Sequence, residues 1–286
     1  MTARAPEPTA YTQAFVDRGT DRLGLHHYPE PDDPQAPLVI IWPAMGTPAR
    51  YYRPLATALG GHGVIVTVAD LRGTGASTPR PSRATRYGYV ELAADVGAVI
   101  DAVKDRRDGR RLMLLGHSLG GQVCLLHLAL SGAAATSVDS LALVAVGLPW
   151  YRSYPGARRL GVLGFTQTIA AVSATLGVWP GWGFGGRQAA GVMRDWGFTA
   201  RHGRFPMIDA EADLRDIRTP VLGISVDGDR FTPAPTLDHL YAKLTAAPVE
   251  RVHVTTAEAG TPLDHFAWVR AAEPVASRIA AFLGKP

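Results

Sequence analysis

The stretch that decides the fold is Leu112-Met-Leu-Leu-Gly116-His-Ser118-Leu-Gly120-Gly121-Gln122. Its apolar start reads as a buried strand. The run breaks at Gly116, turns on Ser118 and continues from Leu119 as a helix. Ser118 is the centre of a G-x-S-x-G pattern. The turn demands a strained backbone at the serine, and the glycines two residues to either side let neighbouring backbone approach. A serine held this way projects its hydroxyl from the end of a strand. The N–H groups of the following helix point toward the same place. That geometry suits a nucleophile better than a structural serine. The rest of the chain must then supply a base, an acid to orient that base, and donors for an oxyanion.

Outward from this stretch, strands and helices alternate. Thr12–Leu25 suits one or two edge strands. Leu38-Val-Ile-Ile-Trp42 is a continuous apolar run, the pattern of a strand covered on both faces. Val64–Asp70, Leu141–Val146, Val221–Val226 and Val252–Thr255 read as further strands. Tyr51, Leu55, Ala58 and Leu59 share one side of a predicted helix. Leu92, Val96, Val99, Ile100 and Val103 recur at helical spacing, and a last helix is predicted over Pro274–Leu283. This alternation predicts an α/β fold, a mostly parallel sheet between two layers of helices. One segment breaks the pattern. Residues 147–215 contain no strong strand, and Phe165, Ile169, Val172 and Leu176 recur there at helical spacing. A second helix is predicted near Arg187–Trp196. The segment reads as a helical cap inserted between the two parts of one core domain, residues 1–146 and 216–286; it is longer than a plain connection.

Composition narrows the function classes. The chain has 286 residues, 47% hydrophobic and 19% charged, enough to bury a large core. Its net charge of +4 is small, and nearly all its basic residues are arginines; the only lysines are Lys104, Lys243 and Lys285. The densest basic run, residues 106–111, has no interleaved aromatics and reads as a solvated turn, so no nucleic-acid partner is expected. A single cysteine, Cys124, excludes an internal disulfide and a cysteine-rich metal site. It lies on the apolar helix after Ser118 and reads as core. Residues 1–10 read as a loose tail without the apolar stretch of a signal peptide. No window reaches the roughly 18 apolar residues of a membrane span. A cytoplasmic protein acting on a small acyl molecule is the simplest expectation, and composition says nothing about its oligomeric state.

In a parallel sheet the partners of Ser118 must come from loops at the same carboxyl ends of strands. Two positions qualify. Asp229 lies in Asp227-Gly-Asp229-Arg-Phe-Thr-Pro233, just past the strand after the cap, and His265 follows the last strand. Asp227 is a rival acid, because it lies on the same turn. Asp264 adjoins the histidine and reads as structural. His117 neighbours Ser118, but its side chain should point away from it. The remaining histidines show no metal-site spacing.

At these residues the chain resembles the α/β-hydrolase superfamily, over most of its length. Gly116-His-Ser118-Leu-Gly120-Gly121 resembles the nucleophile elbow, and Asp70-Leu-Arg-Gly73-Thr-Gly75-Ala-Ser77 the D-x-R-G-x-G-x-S loop. Asp229 with Pro233 resembles the acid loop. The branch it resembles is that of serine hydrolases with a P-A-x-G loop, similar to monoacylglycerol lipases and serine aminopeptidases. Where the family usually carries His-Gly-x, this chain has Pro43-Ala44-Met45-Gly46. The resemblance implies an eight-stranded-type sheet and an oxyanion hole made by the backbone N–H groups of Met45 and Leu119. It implies no metal or organic cofactor. The activity implied is that of a serine hydrolase cleaving a carboxylic ester or related acyl bond through Ser118, His265 and Asp229. The alternatives are a biosynthetic acyltransferase, thioesterase or cyclase with the same residues, and a ligand-binding protein that keeps the fold without the chemistry. Trp150, Tyr151, Phe165 and Trp196 are candidates to line an acyl pocket, with burial in the cap's own core as the alternative.

Overall fold

The computed structural model describes residues 11–132, 137–207 and 210–285. The tail expected over residues 1–10 lies outside them. The described chain opens with an antiparallel hairpin, β1 (Thr12–Arg18) and β2 (Asp21–His27). β3 (Leu38–Trp42) leads to α1 (Arg53–Gly61). β4 (Ile65–Ala69) leads to α2 (Tyr89–Ala102) and the single turn α3 (Lys104–Arg107). β5 (Leu112–His117) runs into α4 (Leu119–Ser131), and β6 (Ser140–Val144) into a long excursion. The excursion holds α5 (Arg158–Leu176), a small ribbon of β7 (Val178–Trp179) and β8 (Gln188–Ala189), α6 (Ala190–His202) and α7 (Ala210–Asp216). β9 (Val221–Val226), α8 (Ala234–Tyr241), β10 (Val249–Val254), α9 (Thr256–Ala259) and α10 (Glu273–Leu283) complete the chain.

The main sheet has eight strands in the order β1-β2-β4-β3-β5-β6-β9-β10. β2 pairs antiparallel with β1 and β4, and every other neighbouring pair is parallel. This is the mostly parallel architecture that the alternation predicts. Its central strands are apolar on both faces because helices cover both. Leu38, Ile40, Leu112 and Leu114 point into one core with Val96 of α2 and Val123 of α4. Val39, Ile41, Met113 and Leu115 point into the other with Leu55 of α1 and Ile279 of α10. The period-two alternation of side chains thus feeds two separate cores from one strand.

Three details differ from the sequence expectation. β6 ends at Val144, not Val146, because Ala145 takes a positive φ of 52° and its amide turns to the carbonyl of Ile224. β10 starts at Val249, earlier than expected; at this sheet edge Glu250, Arg251 and His253 interrupt the apolar signal. Within the excursion α5 and α6 pack against each other, whereas α7 packs against α4 of the core. The ribbon β7–β8 lies in a Gly-, Trp- and Phe-rich run whose two-residue strands are too short to leave a periodic pattern.

Candidate active site

The parallel strands deliver their loops to one end of the sheet. Ser118 sits between β5 and α4 with φ 52° and ψ −118°, a strained conformation for a residue with a Cβ. The elbow is tight because its glycines permit direct backbone contact. A Cβ on Gly120 would lie 2.1 Å from the carbonyl oxygen of Trp42, so α4 begins against the end of β3. The loop that follows β3 carries Met45. The amides of Met45 and Leu119 have no acceptor among the described residues, and both residues line a cavity with Ser118.

Asp229 and His265 come together from the loops after β9 and β10. His265 Nδ1 lies 2.9 Å from Asp229 Oδ2, and both side chains are about as buried as the core, 5% and 4% exposed. The Asp229 carboxylate also accepts from the amides of Phe231 and Thr232, at 2.8 and 2.9 Å, and from the Thr232 hydroxyl at 2.5 Å. Burial by itself raises this carboxyl's pKa. The hydrogen bonds and charge of His265 and the donors of Thr232 outweigh it and hold the group below its ordinary range. His265 is packed by Phe231 and Phe266, with ring centroids 5.1 and 4.9 Å away. Ser118 and His265 line the same cavity. No hydrogen bond joins them here; contacts of this kind tighten when a substrate fills the site.

Asp227, the rival acid, has its carboxylate turned to the opposite side. It accepts from the Thr256 amide at 2.7 Å and lies 2.9 Å from His253 Nε2, at the exposed edge. Asp264 caps its own turn through the amides of Phe266 and Ala267. His117 is fully buried and points away from Ser118 into a network that sequence reasoning missed. The Ala44 amide donates to Tyr52 Oη at 2.8 Å, and Tyr52 Oη lies 2.7 Å from His117 Nδ1. Burial, and then the proximity of His265, push the His117 pKa well below the usual histidine value. Tyr52 Oη and His117 Nδ1 share this hydrogen bond, and Trp268 Nε1 lies 3.4 Å from Nε2 on the other side of the ring. Tyr52 thereby ties the loop before Met45 to the strand that ends at Ser118. Tyr52 precedes α1 beside the singled-out Tyr51, and only the fold brings it under the elbow.

The cavity above Ser118 has a volume of about 430 Å³. Phe165 and Trp196 line it, together with Phe184, Phe231 and Phe266. Trp150 and Tyr151 are not in its lining, which corrects the sequence expectation for both. Trp150 packs on His239, ring centroids 4.5 Å apart, and sits where a Cβ on Gly203 would fall. The Tyr151 hydroxyl accepts from Arg152. Position next to the end of β6 suggested the site, but the turn at Tyr151–Ser153 carries both rings past it. Tyr154, which follows that turn, is the residue that reaches the cavity. Gln122 was also missed; it lines the cavity while its amide group bridges Tyr89 Oη and the carbonyl of Gly147.

The excursion is fastened to this end of the sheet. Gly46, beside Met45, has φ 69°, and a Cβ there would lie 2.3 Å from the carbonyl oxygen of Gly185 in the β7–β8 loop. Asp195 of α6, itself buried, accepts from the amide of Tyr89 at the start of α2. Among the described residues no group of three or more His, Cys, Asp or Glu side chains is arranged to hold a metal ion, and no helix is long and apolar enough to cross a membrane.

Comparison with known proteins agrees with this architecture. Solved structures that match nearly the whole chain include a thioesterase domain from the curacin biosynthetic pathway, 17% identical, covering 97% of this chain and 100% of its own with a TM-score of 0.60. A hydrolase from Pseudomonas aeruginosa is 21% identical, covering 97% and 100% with a TM-score of 0.62. Est1E from Butyrivibrio proteoclasticus is 16% identical, covering 95% and 97% with a TM-score of 0.64. At such identities the likeness is one of fold. No curated protein matches the chain. The model of the alpha/beta hydrolase family matches residues 39–278, from β3 into α10 and so across the Ser118, Asp229 and His265 loops. The chain therefore belongs to the alpha/beta hydrolase family.

Proposed function

We infer that the protein is a serine hydrolase that cleaves a carboxylic ester or a related acyl bond. The observation that carries this reading is the buried His265–Asp229 hydrogen bond and the strained Ser118, with Ser118 and His265 opening on one apolar cavity. His265, held by Asp229 through Nδ1, presents Nε2 as the base. Ser118 Oγ attacks the acyl carbon as its proton passes to Nε2, and the carbonyl π electrons move to oxygen. The amides of Met45 and Leu119 receive that oxyanion, a contact made fully only in the transition state and worth roughly 3–4 kcal/mol per donor. Collapse of the tetrahedral species breaks the bond to the leaving group, which takes the proton from Nε2. Water then attacks the acyl-enzyme, gives its proton to His265, and the acid leaves as Ser118 recovers its own. The negative charge of Asp229 stabilises the imidazolium formed in each half-reaction. The aromatic cavity supports an acyl or aromatic ester of moderate size.

A fluorophosphonate probe tests the reading, because it labels only a serine activated in this way. Wild-type protein is expected to be labelled, and Ser118→Ala to remain unlabelled while keeping its circular dichroism and melting temperature. Folded wild type that stays unlabelled would return the chain to a ligand-binding role.

A further inference from the structure

We propose that the cavity selects anionic substrates: esters or thioesters in which an apolar chain or ring separates the scissile carbonyl from a carboxylate, which Arg158 and Arg230 bind. The inference rests on the serine-hydrolase reading for its chemistry, but its physical basis is separate. Among the cavity's lining residues, the basic side chains are Arg158, Arg230 and His265; no carboxylate lines it. The rest of the lining is dominated by apolar and aromatic side chains. Arg158 is held in place at the edge of this space. Its Nη2 donates to the carbonyl of Arg230, and its guanidinium lies over the Tyr154 ring, 5.5 Å from the centroid. Tyr154 in turn donates through its hydroxyl to the carbonyl of Phe231 at 2.6 Å. Arg158 is therefore braced against the turn that carries Asp229, with donors left over.

Neither Arg158 nor Arg230 forms an ion pair among the described residues. The adjacent Asp229 carboxylate is committed to His265, Thr232 and the Phe231 amide. Arg158 and Arg159 also occupy the first turn of α5, which contains no acid. Cations there oppose the helix dipole, a cost that a bound anion would offset. The same bias extends through the excursion. Residues 147–207 contain seven arginines and a single acid, Asp195, although the whole chain carries 29 basic and 25 acidic residues. The remainder is slightly acidic, so the excursion carries the chain's excess positive charge, and Arg158 is the one of its arginines that lines the cavity. A guanidinium recognises a carboxylate by paired, charge-assisted hydrogen bonds.

Calorimetric binding to Ser118→Ala tests this without turnover. Monomethyl adipate and methyl hexanoate differ only by a terminal carboxylate in place of a methyl group. The anion is expected to bind about tenfold more tightly at low salt, the scale of a charge-assisted hydrogen bond. The double substitution Arg158→Gln, Arg230→Gln should bring the two affinities together while leaving that for methyl hexanoate unchanged, which also shows the cavity intact. Equal affinities in Ser118→Ala, absent binding included, would overturn the proposal, as would a preference that survives the double substitution. Failed fluorophosphonate labelling of wild type would instead remove the hydrolase reading and leave the anion preference standing.

Discussion

Asp227 and Asp229 are two residues apart and do opposite things. Gly228 between them takes a φ of 70°, and the path of that loop decides which carboxylate meets His265. Replacing Asp229 by Asn keeps the shape but removes the charge and favours the wrong imidazole tautomer. Its kcat/KM toward p-nitrophenyl esters is expected to fall about 10⁴-fold, the scale seen for such a change in serine proteases. Asp227→Asn should stay within about threefold, because its partners His253 and Thr256 lie at the surface. The reverse ranking would assign the acid to Asp227. Asp229 also contributes to the dependence of stability on acid. Its pKa is lower in the fold than in the unfolded chain, so its stabilisation is complete above the ordinary carboxylate pKa. It is lost as pH falls through the folded value. Tyr52 makes a second test at this scale. Tyr52→Phe strands the buried Ala44 amide and His117 Nδ1, each left without its partner. The cost expected in urea unfolding is about 1–3 kcal/mol, with slower fluorophosphonate labelling as the Met45 loop loosens. Unchanged stability would mean that neither group depends on Tyr52.

The elements legible in the sequence were those whose pattern is local. β3, β4, β5 and β9 are apolar on both faces and need no tertiary information to be read. Ser118 was legible because a glycine-flanked serine between a buried strand and a helix has few structural uses. His265 and Asp229 were candidates from their places after successive strands, whereas which of Asp227 and Asp229 meets His265 depends on a loop path that no local pattern carries. The cavity wall was less legible. Phe184, Phe231 and Tyr154 come from three loops, and nothing local separates a pocket aromatic from a core one. The two excursion helices show why. α6 buries Val192, Met193, Asp195, Trp196 and Thr199, whereas α5 buries only Thr166, Ile169 and Ser173 along 19 residues and leaves Leu160 and Phe165 exposed. Their stabilities should differ accordingly. In native-state hydrogen exchange the amides of α5 are expected to exchange through local opening, at rates independent of low urea. Those of α6 should follow α2, to which Asp195 fastens it. If α5 proved as protected as α6, its sparse burial would not be what sets its local stability.

The whole molecule holds several histidines in conditions that oppose protonation. Burial is the first cause at each. It lowers the pKa of His26, His127 and His239, takes His27 to about 4, and takes His117 well below the usual value. These groups lie in different parts of the structure. His26 and His27 are on β2, at the antiparallel end of the sheet. His117 ends β5, His127 lies within α4, and His239 packs on Trp150. Each takes up a proton less readily in the fold than in the unfolded chain, which gains protons as pH drops below about 6.5. The unfolded state then binds more protons than the native state, so stability falls with falling pH. The sign is the same at all five sites, and the losses accumulate. Their contribution is fully present above about pH 6.5 and drains away below it, continuing for His27 to about pH 4. The Asp229 contribution fails only at still lower pH, so acid weakening should begin in the histidine range, before the carboxylates titrate. Urea midpoints measured between pH 8 and pH 5 are expected to hold steady at first and then decline below about pH 6.5 with little change in slope. Replacing His27, which lies 2.9 Å from Thr67 Oγ1, by Asn should flatten part of that decline. A midpoint that stays level to pH 5 would mean that these buried rings accept protons as readily as free histidine, against the burial that surrounds them.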